Sequence, residues 1–172
     1  YTSQFLLQDI IPSAAALGGA YSTVIDDPNV LLYNPGSAGY YKKNQIYLSH
    51  SVYPEDIYSE YIMFFLPGKI NIGLAGLYKF SYFPGFERDE EFTGELLFEN
   101  FLAVLSMSKQ LSKEMAVGIN IKYVRNEIFI YNSDIISLDL GINYIMFNNV
   151  ILSLALRNIS FDIKNGILGS YM

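Results

Sequence analysis

Cysteine and tryptophan are absent, and histidine occurs once. No stretch of the 172 residues reaches the ~18 unbroken apolar residues that a transmembrane helix needs. Without cysteine there are no disulfides, no thiol nucleophile and no thiolate metal site. Clustered basic residues are missing too. Eleven Lys and Arg stand against seventeen Asp and Glu, for a net charge of −6 and a pI of about 4.7. Nucleic acid is therefore not an expected partner. No Gly-x-Ser-x-Gly elbow, Walker loop or His-Glu-x-x-His motif occurs, nor any EF-hand spacing. His50 lies between Ser49 and Ser51 in a predicted strand and reads as a polar side chain at a rim or inside a pore. Glu55, Asp56 and Glu60 could pair as acid and base, but two of them fall in a predicted turn, where carboxylates are normally solvated. Arg88-Asp-Glu-Glu91 reads as a solvated loop, and Asn158-Ile-Ser160 as a chance match to a glycosylation triplet. No enzyme activity, cofactor or metal is expected.

What is abundant is apolar surface: 51% of the residues are hydrophobic, and mean hydropathy is +0.22. It is distributed by alternation. In Met115–Tyr123 the odd positions are apolar, while Ala116, Gly118, Asn120 and Lys122 are small or polar. In Ile136–Tyr144, Leu138, Leu140 and Ile142 oppose Ser137, Asp139, Gly141 and Asn143. A strand sends successive side chains to opposite faces, so each segment has one greasy face and one small or wet face. The pattern predicts strands at Gln45–Val52, Ile57–Leu66, Lys69–Tyr82, Glu95–Lys109, Met115–Arg125, Asp134–Met146 and Val150–Asn158, with Ser13–Val24 a weaker eighth. Tight connections are expected at Pro67-Gly68, Gln110–Glu114 and Phe147–Asn149, and longer ones at Tyr53–Asp56, Phe83–Gly94 and Asn126–Ser133.

Short connections alternating with long ones, and strands of ~11–15 residues, fit an antiparallel transmembrane β-barrel better than a soluble β-sandwich, which is the alternative. The 15 Tyr and 12 Phe suit interfacial girdles. The polar strand residues Lys69, Asn71, Lys79, Asn120, Lys122, Asp139, Asn143 and Arg157 would face a lumen, with Leu77, Leu102 and Val104 as apolar lumen candidates. Membrane lipid is the expected surround.

Residues 1–43 differ, being rich in Ala, Gly, Ser, Asp and Pro. Gly18-Gly19 permits positive φ or close approach, Asp26-Asp27-Pro28 resembles a capped helix start, and Asn34-Pro35-Gly36-Ser37 is a turn signal. The blocks Ala16-Leu-Gly-Gly-Ala-Tyr-Ser-Thr-Val-Ile-Asp-Asp27 and Leu31-Leu-Tyr-Asn-Pro-Gly-Ser-Ala38 resemble the N-terminal signature of the PorV/PorQ-type, FadL-like outer-membrane proteins. The matching positions are Gly18, Gly19, Ala20, Tyr21, Asp26, Asp27, Asn34 and Pro35. Leu17 stands for Met, Tyr33 for Trp, and Gly36-Ser37 for Ala-Gly.

The resemblance implies a bacterial outer-membrane barrel of about fourteen strands, with residues 1–43 as a plug or hatch in the lumen and 44–172 as barrel strands. The chain is then expected to be the N-terminal part of a longer barrel, the alternative being a complete eight-stranded one. It also implies binding or transport of hydrophobic small molecules such as fatty acids. The alternative is a PorV-like scaffold with protein partners in a secretion or cell-surface assembly.

Overall fold

The computed structural model describes residues 11–86, 92–128, 131–147, 150–163 and 167–170. The fold is all-β. Eight strands form one antiparallel sheet in sequential order: β1 (Gln45–Tyr53), β2 (Ile57–Leu66), β3 (Asn71–Phe86), β4 (Phe92–Gln110), β5 (Met115–Ile128), β6 (Tyr131–Met146), β7 (Val150–Asp162) and β8 (Ile167–Ser170). No pairing of β1 with β8 closes the sheet among the described residues. Helix is scarce among the described residues: α1 (Pro12–Ala16) and two 3₁₀ turns, Pro28–Leu32 and Ser37–Tyr40, precede the sheet.

Three expectations change. Ser13–Val24 is not a strand. Pro12 at its first position starts a helix, and Gly18 (φ 61) and Gly19 (φ 80) stop it. Gly19 N–H bonds Ala14 C=O at 2.9 Å and Gly18 N–H bonds Ala15 C=O at 3.0 Å, the paired closure of a Schellman cap. An added Cβ at Gly18 would meet nothing within 4 Å, so this glycine is needed for its backbone angle and not for close packing.

Second, the long connections are mostly strand. The β3–β4 ladder runs out to Phe86↔Phe92, and β5–β6 to Ile128↔Tyr131. The β1–β2 turn is only Pro54–Asp56, with Glu55 and Asp56 at positive φ. The alternation of short with long loops therefore disappears. What remains is strands of 13–19 residues from β3 to β7, well beyond the usual ~5–6. Third, Ile167–Ser170 forms an eighth strand that alternation did not suggest.

Register puts two unlike faces on the sheet. One face carries successive cross-strand rows Leu48–Ile62–Gly76–Ala103–Tyr123–Ile136–Phe161 and Ile46–Phe64–Leu74–Leu105–Ile121–Leu138–Ile159, followed by Leu66–Ile72–Met107–Ile119–Leu140–Leu156. These rows are apolar yet open to the surroundings: Leu48 is 70% exposed, Ile46 65% and Leu66 55%. Above them runs the row His50–Glu60–Tyr78–Phe101–Arg125–Asp134. Aromatic rings gather at that boundary, with Tyr58–Phe80 and Tyr78–Phe80 stacked at 5.4 and 5.2 Å.

The other face is covered by residues 11–41. Within the first 3₁₀ turn and the residues just after it, Asn29 meets Tyr61 on β2 while Asn34 meets Ser153 on β7. Six strands lying flat at ~4.8 Å spacing would spread these partners over ~24 Å. The sheet therefore curls around the segment, with its apolar rows on the convex side.

Candidate functional site

The concave face and the segment it holds bring together most of the side chains singled out from sequence. Asp27 caps the first 3₁₀ turn. Its Oδ1 accepts from the Asn29 backbone N–H and from Asn29 Nδ2, both at 2.8 Å, and its Oδ2 accepts from the Tyr21 hydroxyl at 2.6 Å. Tyr21 in turn accepts from Ser13 Oγ at 3.1 Å and packs edge-on against Tyr33, so one residue ties α1 to the turn. Asp26 is exposed and takes no part in this. Burial and the Asp27 carboxylate raise the Tyr21 phenol to about 12. A phenol raised in the folded state contributes stability that is complete below its ordinary value near 10 and is lost as pH climbs through 12. Proteolysis of residues 11–41 is therefore expected to accelerate between pH 10 and 12, and Tyr21→Phe should flatten that rise. An unchanged profile in Tyr21→Phe would assign the loosening to another group.

Asn34-Pro35 is a docking turn. Asn34 Oδ1 accepts from Gly36 N–H at 2.8 Å, closing an Asx turn. Its Nδ2 donates to Ile142 C=O at 3.1 Å and to Ser153 Oγ at 2.5 Å. The turn sits directly on two cross-strand partners, Gly118 of β5 and Gly141 of β6. A Cβ at Gly118 would lie 2.4 Å from the Pro35 carbonyl, and one at Gly141 would lie 1.9 Å from Asn34 Oδ1. Only glycine lets the two backbones meet this closely. Around this seat, Asn143 Nδ2 donates to Ser37 Oγ at 2.7 Å, and Ser37 Oγ and Ser153 Oγ both donate to Ser22 C=O, at 2.5 and 3.0 Å. Gly118→Ala should cost about 1–3 kcal/mol by overpacking, read as a lower denaturant midpoint at unchanged slope. A neutral outcome would mean the turn does not rest on β5.

Next to the seat lies a buried ionic centre. Lys122 Nζ is 2.5 Å from Asp139 Oδ2, with side chains 3% and 0% exposed. Asn120 Nδ2 donates to the same carboxylate oxygen at 2.9 Å and to the Leu31 carbonyl at 2.7 Å, which joins the pair to the segment. Asp139 Oδ1 accepts the Asn158 backbone N–H at 2.8 Å, and Asn158 Oδ1 accepts from Lys122 at 3.1 Å. The residue that completes this ring is at φ 59, in a bulge where β7 spends one residue more than β6 between Leu138↔Ile159 and Leu140↔Leu156. Arg157 beside it lies 5.2 Å from the centroid of the Tyr33 ring.

Asn71 on β3 donates to the carbonyls of Ala38, Gly39 and Tyr41, which pins the exit of the segment. Leu77, Leu102 and Val104 are buried on the same face, in one cluster with Ile11, Tyr21 and Leu31. Two residues fall elsewhere. Lys69 is exposed in the β2–β3 turn at the rim. His50, expected at a rim or in a pore, is on the convex face and pairs with Glu60 at 2.6 Å. Sequence reasoning missed Gly118, Gly141, Ser153 and Asn158 as docking residues. A glycine interrupting an alternating strand was the available signal for the first two.

Comparison with protein-family models, with curated proteins and with solved structures finds no match.

Proposed function

We propose that this chain forms the wall of a membrane-embedded β-barrel of the PorV/PorQ type. In this reading residues 11–41 are a fixed plug, and the protein is an outer-membrane scaffold for a secretion or cell-surface assembly. The observation that carries the membrane reading is the height of the apolar convex face. On β4 the outward charges Glu99 and Lys109 bracket Phe101, Ala103, Leu105 and Met107. Ten residues of strand are ~34 Å long. At a tilt of ~40° they rise ~26 Å, against the ~25 Å band of outer-membrane barrels. A soluble sandwich leaves no such face open, because exposed apolar patches beyond a few hundred Å² are rare on soluble proteins.

The scaffold role is favoured over passage by how firmly the concave face is filled. The glycine seat and the Lys122–Asp139 centre hold the segment at two levels of β5 and β6, and the Asn71 contacts hold it at β3. Passage of a hydrophobic small molecule such as a fatty acid is the second reading. It is favoured by the apolar stretch Leu77, Leu102, Val104, Val124 and Ile135 beside the polar centre.

Isolation from native membranes separates the two. The scaffold reading expects a stoichiometric protein partner and no acceleration of fatty-acid entry into vesicles carrying the chain. A chain that purifies alone, with fatty acid bound, would replace the scaffold by the conduit. A chain that stays monodisperse in buffer without detergent would end both.

A further inference from the structure

The protein is acidic overall, yet nearly half of its cations gather at one end. Five of its eleven basic residues, Lys42, Lys43, Lys69, Lys109 and Lys113, lie at the rim made by the β2–β3 and β4–β5 turns and the entry to β1. All five are exposed, and none is within ion-pair distance of a carboxylate among the described residues. Glu114 is the one carboxylate in these turns, and its side chain is engaged by Ser112 Oγ at 2.9 Å. The opposite end carries Glu55, Asp56, Glu60, Glu99, Glu127 and Asp134.

Three of the lysines are not merely scattered on a surface. Lys42, Lys69 and Lys113 line a groove of about 290 Å³ together with Gly68, Gln110, Leu111 and Ser112. Lys42 is steadied by donating to Gly39 C=O at 3.0 Å. The groove is small, polar and cationic, so its chemistry suits an anion with several acceptor oxygens. Its height selects the source of that anion. It lies just past Lys109 and Ile70, where the apolar convex rows end, which is the level of lipid headgroups if those rows face acyl chains.

We propose that this rim binds the phosphate of an anionic phospholipid headgroup through Lys42, Lys69 and Lys113, fixing which leaflet the β2–β3 and β4–β5 turns address. The inference rests on the membrane reading above and adds to it a lipid-specific contact. Three juxtamembrane lysines acting additively on a whole anionic leaflet would give on the order of a hundredfold, and a single bound headgroup supplies only part of that field, so a preference of about tenfold is expected here.

The full chain in detergent, titrated with phosphatidylglycerol and with phosphatidylcholine and read by native mass spectrometry, tests it. Phosphatidylglycerol should bind about tenfold more tightly, and added salt should shrink the difference. The triple variant Lys42→Gln/Lys69→Gln/Lys113→Gln should bind the two lipids equally. Lys42→Arg/Lys69→Arg/Lys113→Arg should keep the preference, which excludes a trivial folding effect. Equal binding by the unaltered chain, or a preference that survives the glutamine variant, would overturn the inference. So would displacement of the lipid by inorganic phosphate at matched concentration, which would make the source free phosphate. Insertion into bilayers is checked on the same samples. A chain that enters neither lipid loses the membrane reading itself, whereas one that enters both without discriminating loses only the headgroup contact.

Discussion

Asp139→Ala is expected to destabilise the protein by about 3–5 kcal/mol, because it leaves the Lys122 charge buried with its main partner gone. The carboxylate it removes also accepts from Asn120 and from the Asn158 backbone, so the bulge on β7 loses its anchor in the same step. The coupling to the segment runs through Asn120, whose other acceptor is the Leu31 carbonyl. Residues 28–41 should therefore become sensitive to protease before the sheet unfolds. The double variant Lys122→Met/Asp139→Leu is the informative control. Removing both charges leaves no unpaired buried ion and only the Asn158 N–H without its acceptor, so stability should return to within about 1–3 kcal/mol of the unaltered protein. The full cycle, measured by denaturant unfolding in detergent, gives the pair's coupling directly. Two single losses that simply add would mean the ions do not interact as a unit.

Ile119→Arg is expected to cost ~2–4 kcal/mol in a lipid bilayer, since Ile119 is the middle of the outward apolar residues Met115, Val117, Ile119, Ile121 and Tyr123 of β5. The same change at Met115, close to the tight-turn rim, should cost only ~0–1 kcal/mol, because depth sets the penalty. Both positions are on the convex face and neither touches the buried ionic centre, so the difference between them isolates the surroundings. Equal costs at the two sites would place the convex face in water or against protein.

The strands were legible where one face is apolar and the other small or polar, as in Met115–Tyr123, since alternation follows from the pleat alone. Their outer ends were not legible. Beyond the row His50–Glu60–Tyr78 the sequence turns aromatic and polar, so alternation fades and Phe83–Gly94 reads as loop although the ladder continues to Phe86↔Phe92. The placement of the tight turns at one rim carries no weight for a membrane, because any sequential antiparallel sheet puts alternate turns at the same end. Asp27 and Asn34 were readable because capping and Asx turns are local chemistry. Their destinations were not. Asn34 meets Ile142 across 108 residues of sequence, and Leu31 meets Asn120 across 89. Lys122 and Asp139 were both recognised as polar strand residues, but their union depends on the β5–β6 register and on the β7 bulge, which no composition rule supplies.

The central claim is that the convex face is embedded in lipid, and a cysteine scan of β4 tests it most directly. The chain has no cysteine of its own, so each introduced thiol carries the only label. Spin labels placed singly from Asn100 to Ser108 in vesicles would be relaxed by oxygen, which concentrates in lipid, and by a water-soluble nickel chelate. With the convex face in lipid, oxygen access should rise at 101, 103, 105 and 107, with nickel excluded there, and both reagents should be blocked at 102, 104 and 106. Nickel access at 103 and 105 as high as at the two ends of the strand would contradict it.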